Sequence, residues 1–102
     1  MTTWFVSRHP GAVAWAQRQR LAVDHYVSHL QPAQAQPGDT VIGSLPVNIA
    51  AQLCASGIHY LHLSLHLPSH LRGQELSATQ LDALGAQLQA FHIQPAPTPT
   101  RP

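Results

Sequence analysis

At 102 residues, 44% of them hydrophobic, the chain has the size and composition of one globular domain with little stability to spare. Only 9% of its residues are charged, and the net charge is +1, which leaves no general polyanion surface for long DNA or RNA. No apolar run approaches the ~20 residues a membrane helix needs, and MTTWFVSRHP lacks the basic and apolar regions of a signal peptide, so a cytoplasmic protein with no membrane partner is expected.

The first element, TWFVSR at residues 3–8, is short and β-rich and reads as a buried strand. Pro10 suits the first position of a helix, and GAVAWAQRQR follows with Val13, Trp15 and Ala16 placed to pack inward. Val23 to Leu30 reads as a second strand and PAQAQPGD as a loop. Asp39, beside Gly38, reads as turn chemistry, and DTVIG at 39–43 as a third strand. Leu45-Pro46 opens a second helix that ends at Gly57, a natural C-cap. Within it, the single cysteine, Cys54, excludes an internal disulfide and reads as a small buried hydrophobe.

IHYLHLSLHL alternates strictly and reads as a fourth strand. Ser77 with Gln80 makes a capping box, and Leu81, Leu84, Leu88 and Phe91 form one apolar stripe of a last helix. Residues 1–94 are then one domain, and the proline-rich tail 95–102 is expected to be disordered. The order β-α-β-β-α-β-α predicts an α/β open sheet of about four strands with helices on both faces. No helix joins strands two and three, so strand two runs antiparallel or lies at an edge.

Ligands of open α/β sheets gather beyond the carboxyl ends of the strands. Three such ends occur: Ser7-Arg8-His9-Pro10-Gly11, Gly43-Ser44-Leu45-Pro46, and the stretch from Leu67-Pro68 through His70, Arg72 and Gly73. In the first two a strand turns sharply into a helix opened by proline. Free N–H groups at a helix start favour an anion, Gly11 allows close approach, and the Arg8 guanidinium forks onto phosphate. The plain alternative is a solvated arginine and histidine beside ordinary helix punctuation. There is no GxGxxG and no Walker sequence, which disfavours dinucleotide or ATP binding.

Eight histidines raise the question of a metal, with His62, His66 and His70 spaced by four. In a strand, side chains four apart lie ~13 Å from each other, from a rise of about 3.3 Å per residue, too far to share one ion. His62 and His66 therefore line the more polar face of strand four, and His25 and His29 fail by the same reasoning. Asp24, Asp39, Glu75 and Asp82 are scattered, which argues against a two-metal nuclease. Neither a metal nor another cofactor is expected.

TTWFVSRHPGAVAWA, GDTVIGSLPVNIAAQLCASG, and LHLSLHLP followed by RGQELSATQLDALG together resemble the small CRISPR-associated proteins of the Csx series, sixteenth type. The similarity covers nearly all of the chain except the tail. It implies a small Rossmann-like, CARF-like homodimer that accompanies type III CRISPR systems. Such a ring nuclease binds cyclic tetra-adenylate and linearises it, switching the alarm signal off. By motif, the implied residues are Ser7, Arg8 and His9 for catalysis, with Pro10, Gly11, Gly43, Ser44, Leu45, Pro46 and the weaker Arg72 for ligand binding. At His66 the chain departs from the family pattern, in which an acidic residue is more usual.

The chemistry such a reaction needs is compatible with these residues. A ring with two-fold symmetry matches identical half-sites of a two-fold dimer. Cleavage needs no metal if a ribose 2′-hydroxyl attacks its adjacent phosphate, provided the groups are held in line and phosphoryl charge is stabilised. Arg8 suits the charge, His9 proton movement, and Ser7 the orientation of a phosphate oxygen. A binding module that only sequesters the ring is the alternative, and an interaction protein using its sheet edge is a third class.

Overall fold

A computed structural model describes residues 1–99. Five strands, β1 (Thr3–Val6), β2 (His25–Val27), β3 (Thr40–Gly43), β4 (His59–Ser64) and β5 (Gln87–Phe91), form one sheet in the order β2-β1-β3-β4-β5. Only β5 is antiparallel. Three helices, α1 (Pro10–Arg18), α2 (Val47–Ala55) and α3 (Ala78–Ala83), and single 3₁₀ turns at Pro32–Gln34 and Ser69–Leu71 connect them. This is a Rossmann-like α/β open sheet.

The strands alternate sides as a pleated chain must. Phe5, Ile42 and Leu63 face Ala12, Trp15 and Ala16 of α1 and Ala78 and Leu81 of α3, forming one core layer. Val6 and Val41 face the other way, against Leu53 of α2 and the Leu30–Ala35 segment. Burying one such aromatic or branched side chain contributes about 2 kcal/mol, so the two layers carry most of the fold's stability. The α1 crossover runs from β1 outward to β2, and the α2 crossover runs from β3 the opposite way to β4. Right-handed crossovers that diverge must place their helices on opposite faces, which is the arrangement found. Helices on both faces agree with the sequence pattern.

Several expectations need correction. The sheet has five strands, not about four. Residues 87–91 form β5 rather than the end of a long last helix, because α3 stops at Leu84 and Gly85 follows at φ +77°, the left-handed conformation that ends helices. Of the expected stripe, Leu81 and Leu88 reach the α1/α3 core layer, Leu88 from the strand rather than the helix, while Phe91 is 44% exposed. Strand two lies at the edge, one of the two arrangements expected, but is parallel and shorter than Val23–Leu30. Strand four ends at Ser64, short of His66. Residues 92–99 form no regular element. The expected tail disorder also concerns residues 100–102, which lie outside the described residues.

Asp39 is the buried acid of the fold. Its carboxylate accepts the N–H groups of Gln36 and Thr2 at 2.9 and 3.0 Å and the indole N–H of Trp4 at 3.3 Å. These bonds, led by that from Gln36, hold it below the ordinary carboxylate range. Asp39 thus joins the turn before β3 to the start of β1, at the end of the sheet opposite the ligand edge.

Candidate functional site

The helix connections leave β1 and β3 in opposite directions, so these neighbouring strands flank the topological switch point where open sheets bind ligands. Val6 is paired with Gly43 in register, and the turns beginning at Ser7 and Ser44 therefore emerge side by side. A Cβ on Gly43 would stand 2.8 Å from the Val6 carbonyl oxygen, so only glycine lets the two strand ends come this close.

In the first turn, the His9 N–H donates to Ser7 Oγ at 3.0 Å, closing a local turn that sets the entry to α1. The N–H groups of Ala12 and Val13 return to the His9 carbonyl, and Pro10 has no N–H. Helix geometry leaves Gly11 as the first-turn donor without a helical partner. Arg8 is exposed and makes no hydrogen bond or ion pair among the described residues. His9 is exposed too, and its Nδ1 lies 2.9 Å from Glu75 Oε1. Both side chains are about two-thirds solvent-accessible, so water screens the contact and it adds little stability.

Gly11 has a structural reason that the sequence reading did not give. Its Cβ position is filled by the carbonyl oxygen of Leu76, so the missing side chain admits the 75–77 segment against the start of α1. Pro10, Gly11, Glu75, Leu76, Ser77 and Gln80 line an open groove of about 490 Å³ there.

In the second turn the donors are largely engaged by the protein. Ser44 Oγ donates to the Leu63 carbonyl at 2.6 Å, and the Leu45 N–H donates to the Tyr60 hydroxyl at 2.9 Å. The N–H groups of Ile49 and Ala50 return to the carbonyl of Pro46, an exposed residue that is the N-cap of α2. That leaves Val47 and Asn48 as open donors at this helix start. Leu45 packs between α2 and the sheet. Arg72 is exposed on the segment that leads from β4 to Glu75 and caps the Ser69–Leu71 turn.

Tyr60 escaped notice in the sequence. It is 2% exposed on β4, beneath the second turn, and its hydroxyl also contacts the Gly43 carbonyl at 3.2 Å and His62 Nδ1 at 2.7 Å. Burial raises its pKa above the ordinary 10, so the phenol keeps its proton at neutral pH. A Tyr-x-His pair on one strand face was the available signal, but only the β3–β4 register shows what lies above it. Among the described residues, no three His, Cys, Asp or Glu side chains come together where they could hold a metal ion, and no helix is long and apolar enough to cross a membrane.

Among models of protein families, the one described as Putative CRISPR-associated protein (Cas_VVA1548) matches residues 4–94, most of the chain. No curated protein and no solved structure matches.

Proposed function

The chain belongs to this CRISPR-associated family, and from that premise we propose that it is a ring nuclease, binding cyclic tetra-adenylate across a two-fold dimer and linearising it. The observation that carries the reading is the pairing of Val6 with Gly43, which sets the Ser7–Gly11 and Gly43–Pro46 turns side by side at the switch point. Arg8 supplies a guanidinium unpaired among the described residues, and the open N–H groups of Gly11, Val47 and Asn48 supply neutral donors. Two copies of this half-site offer the two-fold symmetry that the ring can adopt.

In the proposed reaction a ribose 2′-hydroxyl attacks the adjacent phosphorus, the P–O bond to the neighbouring 5′-oxygen breaks, and a 2′,3′-cyclic phosphate forms. His9 takes or returns the proton, Arg8 stabilises the phosphoryl oxygens, and Ser7 orients one of them through its hydroxyl hydrogen. Pro10, Leu45 and Pro46 shape the walls, Ser44 keeps an acceptor lone pair toward the ligand, and Arg72 adds charge from the flanking segment. No metal takes part in this scheme, and the protein acts as a cytoplasmic homodimer.

The test is incubation of the full chain with cyclic tetra-adenylate in excess chelator, followed by chromatography and mass analysis. A linear product ending in a 2′,3′-cyclic phosphate is expected. Tight binding with an intact ring would favour the sequestering module, and absence of binding would remove both readings.

A further inference from the structure

The histidine-rich strand is left unused by this scheme, yet one of its members sits in an unusual setting. Three polar atoms converge on the Tyr60 hydroxyl: the Leu45 N–H, the Gly43 carbonyl and His62 Nδ1. A hydroxyl has one proton to give and accepts through its lone pairs. The Leu45 N–H uses one acceptor site. Gly43 O can only accept, and the Tyr60 hydroxyl donates to it at 3.2 Å. The third contact is then satisfied only if His62 donates, which places its proton on Nδ1. The raised pKa of Tyr60 is consistent, since a phenolate would have nothing to give Gly43.

That assignment leaves His62 Nε2 as a lone-pair acceptor with no partner among the described residues. His62 is half-buried, and among the described residues no buried side-chain nitrogen or oxygen lacks a hydrogen bond, so Nε2 reaches the surface. The ring packs edge-on beside the Tyr60–Phe91 cross-strand pair, with centroids 5.7 and 6.0 Å away. In register, His62 is the partner of Gly43, at the ligand edge of the sheet. A rigidly held imidazole with one nitrogen locked and the other open is the arrangement by which proteins aim a histidine.

We propose that Tyr60 and His62 act as a positioning pair, the Tyr60 hydroxyl clamping the Gly43–Leu45 turn while holding His62 as the Nδ1–H tautomer, so that Nε2 accepts a hydrogen bond from a ribose hydroxyl or adenine amine of the ligand. The ligand half of this inference rests on the functional reading above. The clamp does not.

Two measurements separate the halves. With ¹⁵N-histidine-labelled full chain at mildly alkaline pH, long-range ¹H–¹⁵N correlations report the tautomer of each ring. The His62 signals are assigned by their loss in a His62 variant. The Nδ1–H form is expected for His62 in the wild type, reverting in Tyr60→Phe toward the Nε2–H form that imidazole favours in water. An Nε2–H ring in the wild type would overturn the clamp, whatever the protein binds.

The second measurement is calorimetric binding of cyclic tetra-adenylate, with thermal unfolding of the same samples. His62→Asn keeps an N–H near the Nδ1 position and deletes the distal acceptor, whereas His62→Gln does the reverse. The Asn variant should hold the wild-type melting temperature and bind about tenfold more weakly, the size of one lost hydrogen bond. The Gln variant should melt lower and keep most of its affinity. A folded Asn variant that binds like the wild type defeats the ligand half alone. A wild type that fails to bind the ring defeats it together with the functional reading, and leaves the tautomer spectrum to judge the clamp.

Discussion

The carbonyl oxygen of Leu76 occupies the space in which a Cβ on Gly11 would stand. Both partners are backbone, so neither can swing aside as a long side chain would. Gly11→Ala must therefore push the 75–77 segment off the start of α1, costing on the order of 3 kcal/mol. Denaturant unfolding should show a lower midpoint at similar slope. A wild-type midpoint would mean that this segment does not pack on α1. The substitution is a poor probe of ligand binding, since any loss would mix folding with recognition.

Asp39 gives the fold a pH dependence of defined sign. Its folded-state pKa lies below the ordinary 3.8 because Gln36 and Thr2 donate to the ionised form. A depressed carboxylate contributes stability that is complete above the unfolded pKa and is lost as pH falls through the folded value. Asp39→Ala should therefore melt well below the wild type at pH 7, and the gap should narrow as pH drops from about 4 toward 2. A gap that stays constant over that window would show that the bonds to Asp39 do not depend on its charge.

These two residues also mark how far the sequence could be read. The strand-turn-helix pattern at Ser7–Gly11 and at Gly43–Pro46 was visible because proline, glycine and β-rich runs act locally, and both turns stand where the pattern put them. The packing role of Gly11 is not legible locally, because its neighbour Leu76 is distant in the sequence and no local rule brings the two together. The same limit hid Tyr60, whose role depends on lying under Gly43 across a strand pair, and Glu75, which meets His9 from another loop. The error at β5 was of a different kind. Leu81, Leu84 and Leu88 have helical spacing, and Leu81 and Leu88 do share a core, but Gly85 is a stop signal that the periodicity outweighs.

A half-site on each protomer implies a stoichiometry. Each protomer offers one Arg8 and two open helix starts, too few donors to enclose four phosphates. Titration of the full chain with cyclic tetra-adenylate should saturate at one ring per two protomers, and light scattering should give a dimer mass with and without ligand. One ring per protomer on a monomer would contradict the two-fold arrangement.

Arg8 offers the sharpest functional test because the fold does not use it. The side chain is exposed and unpaired among the described residues, so Arg8→Ala should unfold at the wild-type temperature. Any loss it causes in the assay then belongs to the ligand. A guanidinium facing a phosphate whose charge shifts during attack contributes more in the transition state than in the bound ground state. Turnover should therefore fall on the order of 10²-fold, and by a larger factor than affinity. Arg8→Lys should recover only part of the rate, because an ammonium carries the charge without the planar fork. His9→Ala should cost less than Arg8→Ala, since the solvent can replace a proton carrier at an exposed position but not a fixed charge. Equal loss of affinity and turnover in Arg8→Ala would reduce the arginine to a binding group. A folded Arg8→Ala protein that binds and cleaves like the wild type would remove the phosphate seat from the first turn.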